Sequence, residues 1–297
     1  MNECGSAQLA GVVDIDADRA SAAAAQFGCP AFAYHREING KVDAAIVAVP
    51  TSAHAEVACD LMEAGIDVLV EKPIAADIAS AEKLIATAER HGRVLMIGHL
   101  ERFNPGVMAL KKIVRMPLFF EIHRMSLFSP RSLDIDVVLD LMIHDLDIVL
   151  DMVGTAPEEV RAAGISILSG KVDIANVRLA FPTGCIANLT ASRVSTERIR
   201  KLRLFQPTQY ISLDYSRQEG AVFSVHGGQK IDFQTLQVEK NEPLKVEVQH
   251  FLDCVATRKI PAVSGRNGLR ALSSALEILA KIEQHTQLVA SQLKSLA

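Results

Sequence analysis

The first hundred residues alternate apolar runs with helical segments, and no other feature restricts the fold as strongly. Gln8 to Asp14 is an apolar run ending in an acid, and Ala17 to Phe27 reads as an Ala-rich helix stopped by Gly28 and Pro30. Val42 to Val49 is a second run, closed by Pro50 and followed by a helix over His54 to Ala64 with Gly65 as its stop. Val68 to Val70 reads as a third strand, Ala79 to His91 as a helix ended by Gly92, and Arg93 to Ile97 as the next strand. These runs are apolar throughout, which suits strands buried on both faces. The pattern predicts a parallel sheet covered by helices.

After about residue 116 the pattern changes. Pro117 to Phe128 reads as a strand and Val137 to Val153 as a helix. Short strand-like segments follow at 173–181, 185–194, 202–205, 210–215, 221–226 and 230–233, then helices at 246–256 and 268–285. Short strands separated by turns predict a mainly antiparallel sheet with one face packed on helices. The expected division is 1–116 and 117–297, with the final helices packing back.

Lys plus Arg is 31 and Asp plus Glu is 35, a net charge of −4, without a long basic run. No footprint for nucleic acid is present. The most apolar region, Val137 to Val153, is interrupted by Asp140, His144, Asp145, Asp147 and Asp151, so no membrane span is expected. The start, MNECGSAQLAG, has neither the cationic nor the apolar region of a signal peptide. Five scattered cysteines without a CxxC pair read as reduced thiols in a cytoplasm.

A parallel sheet of this kind usually binds a dinucleotide at G-x-G-x-x-G, after its first strand. No two glycines in this chain are separated by a single residue. Asp14, between a strand and a helix, sits where the ribose-binding acid of a second strand would sit. The glycines normally precede that acid by about 20 residues, and only 13 residues precede it here. The expectation is a chain that begins at strand two. The sheet would then be open between strands two and four, and NAD would bind poorly.

The run VDAAIVAVPTSAHAEVACDLMEAGIDVLVEKP (Val42 to Pro73) resembles the signature of the Gfo/Idh/MocA family of sugar oxidoreductases. IGHLERFNP (Ile97 to Pro105), DLMIHDLD (Asp140 to Asp147) and FLDCVATRKIPAVSGRNGLRALSSALEI (Phe251 to Ile278) continue it in the family's order, so the resemblance covers nearly the whole chain. It implies an α/β fold, with a Rossmann-type sheet lacking its first strand and glycine turn, followed by the α+β domain. It also implies an NAD cofactor and a sugar or nucleotide-sugar substrate. Association as a homodimer or homotetramer through the open face of the second sheet is implied as well. Within the family, RSLDIDVVLDLMIHDLDIVL is most similar to members that oxidise the 3-hydroxyl of UDP-N-acetylglucosamine for diamino-sugar lipid A synthesis.

The resemblance assigns roles by position. Lys72 and His144 would handle the hydroxyl proton, and Asp140 would bind the sugar or orient the imidazole. Lys72 follows an apolar strand, at the edge where ligands bind in such sheets, and local sequence alone reads it as a surface lysine. Asp140 and His144 are four apart on a predicted helix and share a face. A zinc reading of that pair lacks a third ligand at an evident spacing, so no metal is expected. Asp14 would accept hydrogen bonds from the adenosine ribose, favouring NAD over NADP, although it serves equally well as a helix N-terminal acid. Pro50, Thr51, Ser52, His54, Glu71, Arg102 and Asn104 fall in the family's cofactor loops. Thr51, Ser52 and Asn104 read equally well as helix caps. Arg131 is the foremost candidate for a nucleotide-sugar diphosphate. Arg124, Arg193 and Lys201 could also meet it, but each alone reads as a surface charge; Asp145 and Asp147 read as supporting or solvated acids. The competing functions are a non-catalytic or cofactor-deficient relative and a dehydrogenase of another sugar or inositol.

Overall fold

The computed structural model describes residues 7–129, 135–227 and 230–296, with side chains to residue 290. The chain forms two compact units, Met1–Leu100 with Glu242–Leu269 and Glu101–Asn241 with Arg270–Ala297. This division differs from a single cut at residue 116. Gly106 lies so close to Leu213 that a Cβ there would stand 2.7 Å from its side chain, which draws the segment after Asn104 into the second unit. The Ile97 N–H bonds to the Val263 carbonyl at 3.0 Å, which ties the late segment to the first.

The first unit contains β1 (Val12–Val13), α1 (Ala17–Phe27), β2 (Ala31–Phe32), β3 (Ala44–Val47), α2 (His54–Glu63), β4 (Asp67–Glu71), α3 (Ile78–His91) and β5 (Leu95–Gly98). Its strands are parallel throughout but form two sheets, β1-β2 and β3-β4-β5. The gap falls between the strands expected as two and four. Apolar groups at it stay partly open, with Val13 37% and Ile15 83% exposed and Ile46 half-buried. In β4, Val68, Leu69 and Val70 are fully buried, and Leu61, Met62, Ala81 and Leu84 of the helices join this core. α3 begins on the Asp77 carboxylate, which accepts from Ser80 N–H, and ends at Gly92 with φ 60°.

The second unit contains α4 (Pro105–Ile113), β6 (Phe119–Leu127), a π-helical turn (Val138–Met142), α5 (Ile143–Val153), β7 (Glu159–Ile165), β8 (Ile174–Ala180), β9 (Ile186–Ser195), β10 (Ile199–Gln206), β11 (Gln209–Asp214), β12 (Glu219–His226) and β13 (Lys230–Thr235). α6 (Pro243–Thr257) follows in the first unit, and α7 (Gly265–Leu296) contributes to both. The eight strands lie in the order β13-β12-β11-β10-β6-β9-β8-β7, and only β6 and β9 pair in parallel. One face packs on the helices: Phe120, Ile122, Leu189 and Leu202 of the sheet share a core with Leu110, Val149, Ala275 and Ile278.

Two local expectations need correction. The predicted continuous helix over Val137 to Val153 is π-helical in its first turn, because the Ile143 N–H reaches the carbonyl of Val138. β7 was not expected. Its Ala-Ala-Gly centre is a poor strand former, and antiparallel pairing with β8 along its whole length overrides that weakness.

Candidate active site

In the first unit the carboxyl edge of β3-β4-β5 carries Pro50, Thr51, Ser52, His54, Glu71 and Lys72. Parallel strands point their C-terminal ends the same way, and the loops there bind ligands in open α/β sheets. β4 ends in Glu71, followed by Lys72 and Pro73, with a cis bond between the latter two. Glu71 and Lys72 are half-buried. The Glu71 Oε2 accepts the Lys72 N–H at 3.3 Å. Gly98, at the end of β5, gives Glu71 room: a Cβ on it would lie 3.1 Å from Glu71 Oε2 and 3.3 Å from its Cα.

His54 is 1% exposed. Its Nδ1 lies 2.9 Å from the Pro73 carbonyl and its Nε2 2.9 Å from the Val49 carbonyl. The ring therefore braces the loop after β3 against the turn after β4, and its two nitrogens are occupied by backbone. Pro50, Thr51 and Ser52 form that first loop. Neither hydroxyl caps α2, whose N-cap is Ala53 with no side-chain bond.

Asp14 immediately follows β1. The cap of α1 is Asp16, which accepts from Asp18 N–H and Arg19 N–H, so Asp14 is not the capping acid. Its Oδ1 accepts from Asp16 N–H at 2.9 Å and from Arg19 Nη2 at 3.1 Å, and its side chain is 35% exposed. Asp14 is thus a half-buried carboxylate after the first parallel strand, and Lys72 a half-buried lysine after β4.

In the second unit Asp140 lies in the π turn and His144 in the first turn of α5, both half-buried. A π turn adds one residue to the coil and re-aims the side chains on it, a device frequent at functional sites. Its entry is tightly held. The Val172 N–H bonds to Asp136 Oδ1 at 2.8 Å and the Val137 N–H to the Val172 carbonyl at 2.9 Å. Arg193 donates from Nη2 to the Ile135 carbonyl and lies 3.7 Å from Asp173.

Beneath this helix runs a buried charge network. Arg124 donates from Nε and Nη2 to the two oxygens of Asp145, each at 2.8 Å, and from Nη1 to Glu101 at 2.8 Å. Arg200 also donates to Glu101, at 3.3 Å, and the Tyr215 ring lies 5.4 Å from the Arg124 guanidinium. Desolvation works against the Arg124 charge, but Asp145 and Glu101 outweigh it and hold the guanidinium protonated. Burial pushes the Asp145 carboxyl up, against the pull of Arg124.

Several expectations are corrected here. Arg124 and Arg193 are 1% and 5% exposed, so neither is a surface charge, and Asp145 and Asp147 are buried and paired rather than solvated. Arg102 spends its guanidinium on Asp147 and Asp151, the latter at 2.7 Å. Asn104 is a helix cap: its Oδ1 accepts the Gly106 N–H at 3.0 Å and its Nδ2 donates to the Tyr215 carbonyl at 3.1 Å. Lys201 is exposed, as expected, and Arg131 lies outside the described residues. Among the described residues no three His, Cys, Asp or Glu side chains gather in a metal-holding group.

Comparison with known proteins agrees with this architecture. Residues 1–99 match the oxidoreductase family with an NAD-binding Rossmann fold, and residues 123–206 match the GFO/IDH/MocA C-terminal domain. UDP-N-acetylglucosamine 3-dehydrogenase of Acidithiobacillus ferrooxidans is 37% identical over 94% of this chain and 91% of its own. A solved structure of that enzyme superposes with a TM-score of 0.89, covering 93% of this chain and 90% of the other. Myo-inositol 2-dehydrogenase of Thermotoga maritima is 27% identical over 78% of this chain and 75% of its own. The chain belongs to the Gfo/Idh/MocA oxidoreductase family and is a dehydrogenase-type enzyme of that family, with a nicotinamide-binding Rossmann domain.

Proposed function

We propose that the protein oxidises the 3-hydroxyl of UDP-N-acetylglucosamine to a 3-keto sugar with NAD, the first step toward a diamino sugar of lipid A. The observation that carries this reading is the presence of Lys72 at the end of β4 and of Asp140 and His144 on the π–α segment, in a chain 37% identical to a UDP-N-acetylglucosamine 3-dehydrogenase.

A bound nicotinamide supplies the hydride acceptor. The protein's share is orientation and proton transfer. Lys72 takes the hydroxyl proton as the C–H bond breaks, and His144 exchanges it with solvent, a task suited to an imidazole near neutral pH. Asp140 hydrogen-bonds the sugar and orients the His144 ring. The Asp14 carboxylate accepts the adenosine ribose hydroxyls, and a 2′-phosphate there would be repelled, so NAD is preferred to NADP. The loop Pro50-Thr51-Ser52, braced by His54, and the Glu71 turn shape the cofactor's edge of the site. Arg131 holds the substrate diphosphate, while Arg102 and Asn104 fix the segment after β5.

The enzyme works as a homo-oligomer in the cytoplasm, where its thiols Cys29, Cys59, Cys185 and Cys254 stay reduced. Phe119, Phe205, Tyr210, Phe223 and Phe233 form one cross-strand row, with neighbouring ring centroids 4.8 to 5.9 Å apart. Phe205 is 40% and Phe233 62% exposed. An exposed aromatic row of this length suits burial against a second copy. Phe233→Asp would lower the mass seen by ultracentrifugation.

The test of the activity is NADH formation from UDP-N-acetylglucosamine. Lys72→Met and His144→Ala would each lower kcat by about 10²–10⁴-fold with little change in melting temperature. Turnover of inositol or free glucose, with none of the nucleotide sugar, would replace this substrate by another.

A further inference from the structure

In the second unit the start of β10 lies beside the end of β11. Lys201 pairs with Asp214 across the two strands, and the Tyr215 N–H bonds to the Arg200 carbonyl at 2.9 Å. The turns at this end border a cavity of about 300 Å³, a size within the range of small-molecule sites. Its lining sets four cations, Arg198, Arg200, Lys201 and Arg217, against two carboxylates, Glu197 and Asp214. Asp214 is partly spent on backbone, since its Oδ1 accepts the Arg217 N–H at 3.1 Å. Among the described residues only one of the four cations forms an ion pair: Arg200, whose Nη1 lies 3.3 Å from Glu101. Glu101 sits closer to Arg124, at 2.8 Å, so one carboxylate serves two guanidiniums. The Arg200 Nε is buried and has no hydrogen-bond partner among the described residues. Burial, followed by the charge of Arg124, lowers the Arg200 pKa against the pull of Glu101, and Arg198 adds to the repulsion.

Like charges gathered in a concave site raise the local potential and draw anions from solvent. Three guanidiniums and an ammonium present more donors than one carboxylate can accept. The oxygens of a diphosphate can accept them, and its two negative charges match the surplus of the cleft. The cleft also borders the network beneath the site helix. Arg200 lies opposite Arg124 on the neighbouring strand β6, and Arg124 grips Asp145, the residue after His144. We propose that this cleft is a diphosphate subsite, in which Arg198, Arg200, Lys201 and Arg217 hold the diphosphate of the substrate in addition to Arg131. The inference rests on the reading of the substrate as a nucleotide sugar, and it assigns the nucleotide end to the β10–β11 end of the second sheet.

Titration calorimetry on the full chain tests the subsite without turnover. UDP should bind, inorganic pyrophosphate should displace it, and N-acetylglucosamine should not. The double variant Arg198→Ala/Arg217→Ala should weaken UDP binding about tenfold or more, since one lost hydrogen bond to a charged group is worth about a factor of ten. Both side chains are exposed, so the melting temperature should hold. Lys112→Ala/Arg115→Ala removes the same charge at the opposite end of β10, where Gln206 accepts the Arg115 N–H, and should leave UDP binding as it was. Equal weakening by the two pairs would mean general attraction by charge and would overturn the proposal. Wild-type affinity in Arg198→Ala/Arg217→Ala, or no UDP binding by wild type, would overturn it as well. In turnover, Arg198→Ala/Arg217→Ala should raise the KM for UDP-N-acetylglucosamine by the factor lost in UDP binding and leave the KM for NAD unchanged. An unchanged KM for the sugar nucleotide, with UDP binding weakened, would assign the cleft to a free nucleotide and refute its role in holding substrate. Absence of any sugar oxidation by wild type, with the binding results as expected, would count against the proposed function and leave the diphosphate site standing.

Discussion

The two units hold their chemical groups by different means. In the first, the turn that carries Lys72 is held by a strand end, a glycine opposite and the His54 ring between two carbonyls. The buried, strongly paired Asp67 lies at the far end of β4 from Lys72. In the second, His144 and Asp140 ride on a helix whose underside is fixed by charged side chains, with Arg124, Asp145 and Glu101 each under 10% exposed. A parallel strand end offers free loops that backbone can shape, whereas the middle of a helix offers only side chains. The difference predicts that the supports of Lys72 fail on loss of shape, and that the supports of His144 and Asp140 fail on loss of charge.

The largest effect should come from Arg124→Met, which fits the volume but strands Asp145 and Glu101 in the core. Removing one partner of a buried ion pair costs about 3–5 kcal/mol, so chemical denaturation should show a loss of that size. A loss under about 1 kcal/mol would mean that water reaches the network.

Asp173→Asn comes next. Burial works against the Asp173 charge, but the Ser169 hydroxyl and the N–H groups of Leu168, Ile167 and Ser169 outweigh it and hold the carboxyl well below the usual carboxylate range. A carboxyl so lowered stabilises the fold above its unfolded pKa of about 4 and loses that contribution as pH falls further. Asn should therefore cost about 1–3 kcal/mol at pH 7 and flatten the acid limb of the stability curve. Because this loop bonds to Asp136, kcat should fall as well.

Much of this was legible in sequence. The apolar runs located β3, β4 and β5, since uninterrupted Val and Ile admit little else, and the motifs singled out Lys72, Asp140 and His144 as the residues the proposed mechanism uses. The buried charges were misread because arginine is usually exposed, yet a signal was present. Phe120, Ile122 and Arg124 alternate on one face of β6, and two buried neighbours in phase mark a core-facing arginine. Glu247, buried on α6, carried the same kind of signal, since it shares a helical face with Phe251 and Cys254. The π turn left no trace, because a single shifted hydrogen bond alters no hydrophobic period. The bracing role of His54 was equally hidden, as it depends on carbonyls 5 and 19 residues away.

The smallest stability effect, and the sharpest probe of the comparison, is Gly98→Ala. An added methyl would sit 3.1 Å from Glu71 Oε2 and 3.3 Å from the Glu71 Cα. The carboxylate can swing aside, but the backbone of β4 cannot, so the strand pair must spread by a few tenths of an ångström. Overpacking of this degree costs about 1–2 kcal/mol. No charge is lost, yet Lys72 moves with Glu71, so kcat should fall about tenfold or more while KM for the sugar changes little. A matched change in the second unit, Asp147→Asn against the buried Arg102, alters charge and not shape. If Gly98→Ala left turnover intact and Asp147→Asn left stability intact, the two units would not differ in the way argued.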